Sequence, residues 1–188
     1  GDLKTVESLF IHADKCKSRL IPALHAAYGR EVLWLEDALA SGVLSDLGPV
    51  TGFYSGFYDP YFVRGEVVST AEGLGSSWID SAINALSVIG RFVEPSRMRF
   101  VDLTTTRITP GTRCEVQGNG LYRLMADDHS AGGWGVIDTN WALGFNWKSS
   151  RLYFGETGSE VFLDHSAQTV HLRRRDGNLE LLANLDDG

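Results

Sequence analysis

The sequence predicts an α+β fold, with helices grouped in the first half of the chain and antiparallel strands in the second. Two observations carry this. Amphipathic segments with three- and four-residue spacing occupy the region before Pro95. After Pro95 come short β-rich runs separated by Gly, Asn and Asp turns, and strands joined by short turns pair antiparallel.

The length of 188 residues suits one domain with a single core, here residues 1–188. Hydrophobic content of 43% and charged content of 22% are ordinary for a globular chain, and no internal repeat or low-complexity segment is present. The formal net charge is −7, and the one basic triplet, Arg173-Arg174-Arg175, reads as a solvated strand end, so nucleic acid is not an expected partner. No apolar run approaches the ~20 residues that span a bilayer, and neither a membrane partner nor a signal peptide is expected. Cys16 and Cys114 are too few for a disulfide framework and read as reduced thiols of a cytoplasmic protein. No His, Cys, Asp or Glu set has metal-ligand spacing. Gly1 precedes Asp2-Leu3-Lys4 without an initiating Met, which reads as a scar from a cleaved tag on a piece of a longer protein.

In order along the chain, Leu9-Phe10-Ile11 within Val6–His12 reads as a short buried strand. A helix carrying Leu20, Ile21, Leu24 and Ala27 is expected next, then a second over Glu31–Ala40 that Ser41-Gly42 closes. Asp46-Leu47-Gly48-Pro49 is a turn, and Val50–Tyr58 has the Thr, Phe and Tyr content of a strand. Asp59–Glu66 has too many punctuating residues for regular structure and reads as a loop. Gly73–Pro95 is the most informative stretch. Its helix is expected to bury Ile79, Ala82, Ile83, Leu86, Ile89 and Val93 and to stop at Pro95. Strands are expected at Met98–Ile108, Leu121–Ala126, Gly133–Asn140, Ala142–Trp147, Arg151–Gly155, Glu160–Asp164, Thr169–Arg174 and Leu179–Leu182, with Asp176-Gly177-Asn178 as a hairpin turn.

Ser77, Asp80, Asn84, Ser87 and Arg91 share a second face of that helix, which is short-chained and mostly uncharged, as suits a wet enclosed space. Asp80 and Asn84 stand one turn apart. A carboxylate can accept or relay a proton, and an amide can both donate to and accept from a sugar hydroxyl. The same residues have a structural reading, because Ser77-x-x-Asp80 matches a capping box in which the acid only satisfies free N–H groups.

Asp80-x-x-Ile83-Asn84-Ala85-Leu86-Ser87 resembles the active-site helix in the C-terminal domain of the glucose–fructose oxidoreductase / inositol dehydrogenase family. Most of that family has Asp-x-x-x-His there, and the Asn form resembles the bacterial aldose 1-dehydrogenases. Ala40–Leu44 followed by Pro49–Phe53, and the Gly155–Val161 hairpin, are similar to the family's order of elements. The resemblance implies a large open, predominantly antiparallel sheet with helices on one face, whose other face forms homodimers or higher oligomers. It implies a substrate-binding domain of an NAD(P)-dependent dehydrogenase acting on a sugar or polyol. Asp80 and Asn84 would belong to its proton relay and orient the hydroxyl. His12 stands where a catalytic histidine is expected, Trp147 where an aromatic face stacks on the sugar, and Tyr58 and Asp59 where substrate contacts occur. The cofactor motif Gly-x-Gly-x-x-Gly and the family's Glu-Lys-Pro lysine are absent here, so NAD or NADP would be bound mainly by an upstream Rossmann domain. A non-catalytic sugar-binding or dimer-forming module of the same fold is the alternative.

Overall fold

The computed structural model describes residues 3–20, 24–61, 75–107, 115–126 and 131–186. Eight strands form one sheet in the order β2-β3-β4-β1-β5-β6-β7-β8. They are β1 (Gly52–Tyr58), β2 (Met98–Thr106), β3 (Gln117–Met125), β4 (Ala131–Asn140), β5 (Trp147–Phe154), β6 (Ser159–Asp164), β7 (Thr169–Arg173) and β8 (Leu179–Asn184). The β1–β4 pair is parallel and every other pair antiparallel. The expected sheet is therefore present. Ala142–Trp147 is a correction: only Trp147 is in a strand, because β1 lies between β4 and β5 and residues 141–146 must cross its end.

Strand alternation sorts β1 cleanly, with Phe53, Ser55 and Phe57 pointing to the core face and Tyr54 and Tyr58 to the other. The core face carries Phe53, Phe57, Ile137, Leu152, Val161, Leu163, Val170 and Leu172, all nearly inaccessible to solvent. Against them pack α2 (Arg30–Ala40), through Val32, Leu35 and Ala38, and the helix spanning Ser77–Ile89, through Ala82, Ala85, Val88 and Ile89. Burying each Val, Leu or Ile side chain fully contributes roughly 1.5–3 kcal/mol.

The helix before α2 is α1 (Leu3–Lys15), and it overturns the strand expected at Val6–His12. Val6, Leu9, Phe10 and Ala13 also recur at three- and four-residue steps, and a three-residue apolar run does not discriminate between the two periods. Val6, Leu9, Phe10 and Ile11 remain 42–55% exposed. The expected helix through Leu20–Ala27 is reduced, among the described residues, to a 3₁₀ turn over His25–Tyr28, with Ile21 lying outside them.

Helix α3 (Ser77–Ile89) differs from expectation in three ways. Its N-cap is Ser76, whose hydroxyl accepts the Ile79 N–H at 3.3 Å. It ends at Gly90, whose N–H bonds to the Leu86 carbonyl, and Pro95 instead opens a separate 3₁₀ turn. Its buried face is rotated: Ile79 is 63% and Ile83 48% exposed, while Ser77, Ser81, Ala82 and Ala85 face the sheet. Small residues let the helix sit close, and Trp78 lies over Gly118 and Gly120, where an added Cβ would come within 2.8 and 2.1 Å of the indole. Among the described residues, no helix is long and apolar enough to cross a membrane.

Candidate functional site

The end of β1 and the first two turns of α3 enclose a cavity of about 320 Å³. Asp80, Ser81 and Asn84 reach it from α3, Phe57 and Asp59 from β1 and the residue after it, and Lys148 from β5. His25 closes it from the 3₁₀ turn before α2, Gly29 and Glu31 from the start of α2, and His165 and Gln168 from the β6–β7 turn.

Asp80 is in the fourth position of α3, one turn beyond the capping serine, so it does not form the capping box that Ser77-x-x-Asp80 suggests. Its carboxylate makes no hydrogen bond or ion pair among the described residues. Burial raises its pKa, the Asp59 charge raises it further, and Lys148 and His25 oppose both. Asn84 Nδ2 donates to the Asp80 carbonyl at 3.0 Å, which orients the amide and leaves its oxygen available to a ligand.

Asp59 is paired. One oxygen meets Lys148 Nζ at 2.9 Å, the other accepts the Ser81 hydroxyl at 3.4 Å, and Ser81 in turn accepts the buried Trp141 indole N–H at 3.1 Å. Deeper in, Glu31 Oε1 accepts His165 Nδ1–H at 2.7 Å. His165 Nε2 is 2.9 Å from Ser150 Oγ, which is 2.8 Å from Ser55 Oγ. A carboxylate only accepts, so Nδ1 carries a hydrogen toward Glu31. The Phe57 ring packs beside the imidazole, with centroids 5.5 Å apart.

Of the residues singled out in the sequence, Asp80, Asn84 and Asp59 come together in the cavity. Three others do not line it. His12 is exposed on α1, its Nε2 3.6 Å from Cys16 Sγ, because the segment is a helix rather than a strand running into a cleft. Tyr58 and Trp147 pair across β1 and β5 on the opposite face of the sheet, with ring centroids 5.6 Å apart. Alternation dictates this: Phe57 and Lys148 point into the cavity, so their neighbours Tyr58 and Trp147 point away.

Glu31, Lys148 and His165 escaped the sequence reading. Lys148 had a usable signal, being next to an aromatic residue in a strand whose parity could be counted. Glu31 and His165 had none, since they are 134 residues apart. Among the described residues, no group of three His, Cys, Asp or Glu side chains could hold a metal ion.

No protein-family model matches the chain, and neither does any curated protein. Many solved structures do. UDP-N-acetylglucosamine 3-dehydrogenase from Acidithiobacillus ferrooxidans superposes with a TM-score of 0.71 at 12% identity, over 99% of this chain and 53% of that one. An oxidoreductase from Sinorhizobium meliloti gives 0.75 at 16% identity, over 100% and 49%. An inositol dehydrogenase homolog from Azotobacter vinelandii, complexed with NAD+, gives 0.66 at 11% identity, over 85% and 42%. These are oxidoreductases of the glucose–fructose oxidoreductase / inositol dehydrogenase type, and at such identities the likeness is one of fold. The chain spans about half the length of each.

Proposed function

We propose that this chain is the substrate-binding domain of an NAD(P)-dependent oxidoreductase acting on a sugar or polyol hydroxyl. The observation that carries the reading is the convergence of Asp80, Asn84 and the Asp59–Lys148 pair on one cavity at the end of β1. A polyol presents many hydroxyls in a small volume, and each can donate to a carboxylate or accept from an ammonium or amide.

The dinucleotide itself does not fit this chain's residues. The cavity of about 320 Å³ is small for it, three carboxylates line it, and no glycine-rich strand–helix turn for the pyrophosphate is present in the sequence. NAD or NADP would be held by residues outside this chain. Such a cofactor would supply the hydride acceptor, and the hydroxyl proton would fall to the residues described here. Asp80 is the acceptor, because its carboxylate is unpaired among the described residues and its raised pKa makes it a better base than an ordinary aspartate. Asn84 orients the hydroxyl through its amide oxygen. Lys148, fixed by Asp59, donates to a second oxygen of the ligand. His12, Tyr58 and Trp147 have no part in this scheme.

The face of the sheet away from the helices is the proposed self-association surface. It exposes Trp134, Tyr153, Leu179 and Leu181 at 37–58%. Sedimentation of the protein across a concentration range tests this, and a monomer at every concentration removes it.

The experiment for the catalytic reading is NAD(P) reduction by the full-length protein with a panel of aldoses and polyols, wild type beside Asp80→Ala and Asn84→Ala. We expect turnover with at least one substrate and a loss of about 10²–10⁴-fold for Asp80→Ala, the usual worth of a general base. Absence of turnover across the panel, or full rates in both folded variants, overturns it and leaves the non-catalytic module.

A further inference from the structure

Glu31 has more hydrogen-bonding apparatus around it than the fold requires. It is 2% exposed, in the first turn of α2, where a charged side chain is unfavourable unless its partners compensate. Only Oε1 is engaged, by His165 Nδ1. Its second oxygen has no hydrogen-bond partner among the described residues, and the residue lines the cavity. His165 is itself held from behind by Ser150 and Ser55, so α2, β1, β5 and the turn after β6 each contribute one member of a continuous chain. Fixing a carboxylate this firmly while leaving one oxygen open is the arrangement of a group that orients a ligand. The backbone also leaves room for it: a Cβ at Gly29 would stand 2.3 Å from Glu31 Oε1.

The charges around the cavity then decide which ligands it accepts. Lys148 is paired with Asp59 at 2.9 Å. Among the described lining residues, the carboxylates of Glu31, Asp59 and Asp80 outnumber the one lysine, and neither Glu31 nor Asp80 has a lysine or arginine bonded to it.

We propose that Glu31, positioned by His165, is a ligand-binding carboxylate that makes this site take neutral polyols and amino sugars and reject sugar acids and sugar phosphates. The open oxygen of Glu31 accepts a hydroxyl or ammonium hydrogen, whereas a carboxylate or phosphate in the same place brings like charges together in a poorly solvated space. This rests on the sugar-site reading above and adds a charge rule to it.

The test is a titration of the full-length protein by calorimetry at one ionic strength with glucosamine, glucose, glucuronate and glucose 6-phosphate, while the His165 Nδ1 proton is followed by NMR. We expect glucosamine and glucose to bind at least about tenfold more tightly than the two anions, a difference of ~1.4 kcal/mol. Glu31→Gln should narrow that gap severalfold, and the His165 proton should shift when glucose binds. A wholly structural Glu31–His165 pair would leave that proton where it is. Anions binding as tightly as glucose, an unmoved His165 proton, or a folded Glu31→Gln variant with unaltered affinities each overturn the inference and leave the sugar site intact. Should Glu31→Gln fail to fold, the wild-type panel and the imidazole proton decide alone. If none of the four sugars binds, the sugar-site reading falls and this inference with it.

Discussion

The two faces of the sheet use the same kinds of side chain for opposite ends. On the face without helices, Tyr54 and Tyr58 join hydroxyls at 2.7 Å, and Tyr58 donates to Asp138 Oδ2 at 2.7 Å. Burial, reinforced by those hydrogen bonds and the Asp138 charge, pushes the Tyr58 phenol far up. Arg123 sits over Trp134 at 4.9 Å and Arg151 over Phe162 at 5.1 Å. On the helix-covered face, Asp80 and the second oxygen of Glu31 have no hydrogen-bond partner among the described residues, and both residues line a cavity. The difference teaches that a polar cluster in a sheet is a candidate site only where its hydrogen-bonding capacity is left incomplete beside a space. Tyr58 and Trp147 carry attractive side chains, but their groups are turned to one another.

The comparison can be broken by substitution on either side, and the largest effect is expected inside. His165→Ala leaves Glu31 buried without its partner, a change of about 3–5 kcal/mol that urea denaturation would register. A loss well under ~1 kcal/mol would mean that the relay is loose and the two faces are alike.

On the outer face, Tyr58→Phe removes the hydrogen bonds to Asp138 and to Tyr54 and should cost about 1–3 kcal/mol, since it leaves Asp138 with only the longer Tyr54 bond at 3.3 Å among the described residues. Sugar affinity, read by calorimetry, should not change, and a tenfold loss would return Tyr58 to the site. Gly29→Ala is subtler. The new methyl group pushes aside the Glu31 Oε1 that His165 holds, so stability should fall by part of the His165→Ala loss, about 1–3 kcal/mol, while glucose binding weakens through the misplaced Glu31 carboxylate.

The smallest effect on stability has an informative sign. Asp80 has a raised pKa in the folded chain, by burial first and the Asp59 charge second. Between its unfolded and folded pKa values the native chain holds the proton more tightly. Stability from this group is therefore full below the unfolded value and is lost as pH rises through the folded one. Asp80→Asn should melt slightly higher than wild type at pH 7 and lose that advantage as the solution is acidified, while activity drops. Melting curves at several pH values check this. A variant less stable than wild type at neutral pH would make Asp80 a structural residue.

Much of the architecture was legible in advance. The period-two runs of β6 and β7 and the Asp176-Gly177-Asn178 turn, where Gly177 takes φ +86°, follow rules that act over a few residues. The convergence of Asp80 and Asn84 on one helix face is equally local. Errors arose where two local readings were equal, as in Leu9-Phe10-Ile11, or where a partner's shape decided. Ile79 and Ile83 of α3 looked like part of its core face, yet the face carrying Ser77, Ser81, Ala82 and Ala85 docks, because its small side chains allow a close approach to the sheet.

By itself, then, the amino-acid order determined α2, β1, α3 and most of the strands after Pro95, their hairpins, and the carboxylate–amide pair one turn apart on α3. Tertiary structure alone decided that Asp59 pairs with Lys148, that Trp147 turns away, and that Glu31 meets His165. Periodicity records which way a side chain leaves its own backbone. The identity of what it meets depends on strand order and on how closely a helix can approach, and both emerge only when distant segments pack together.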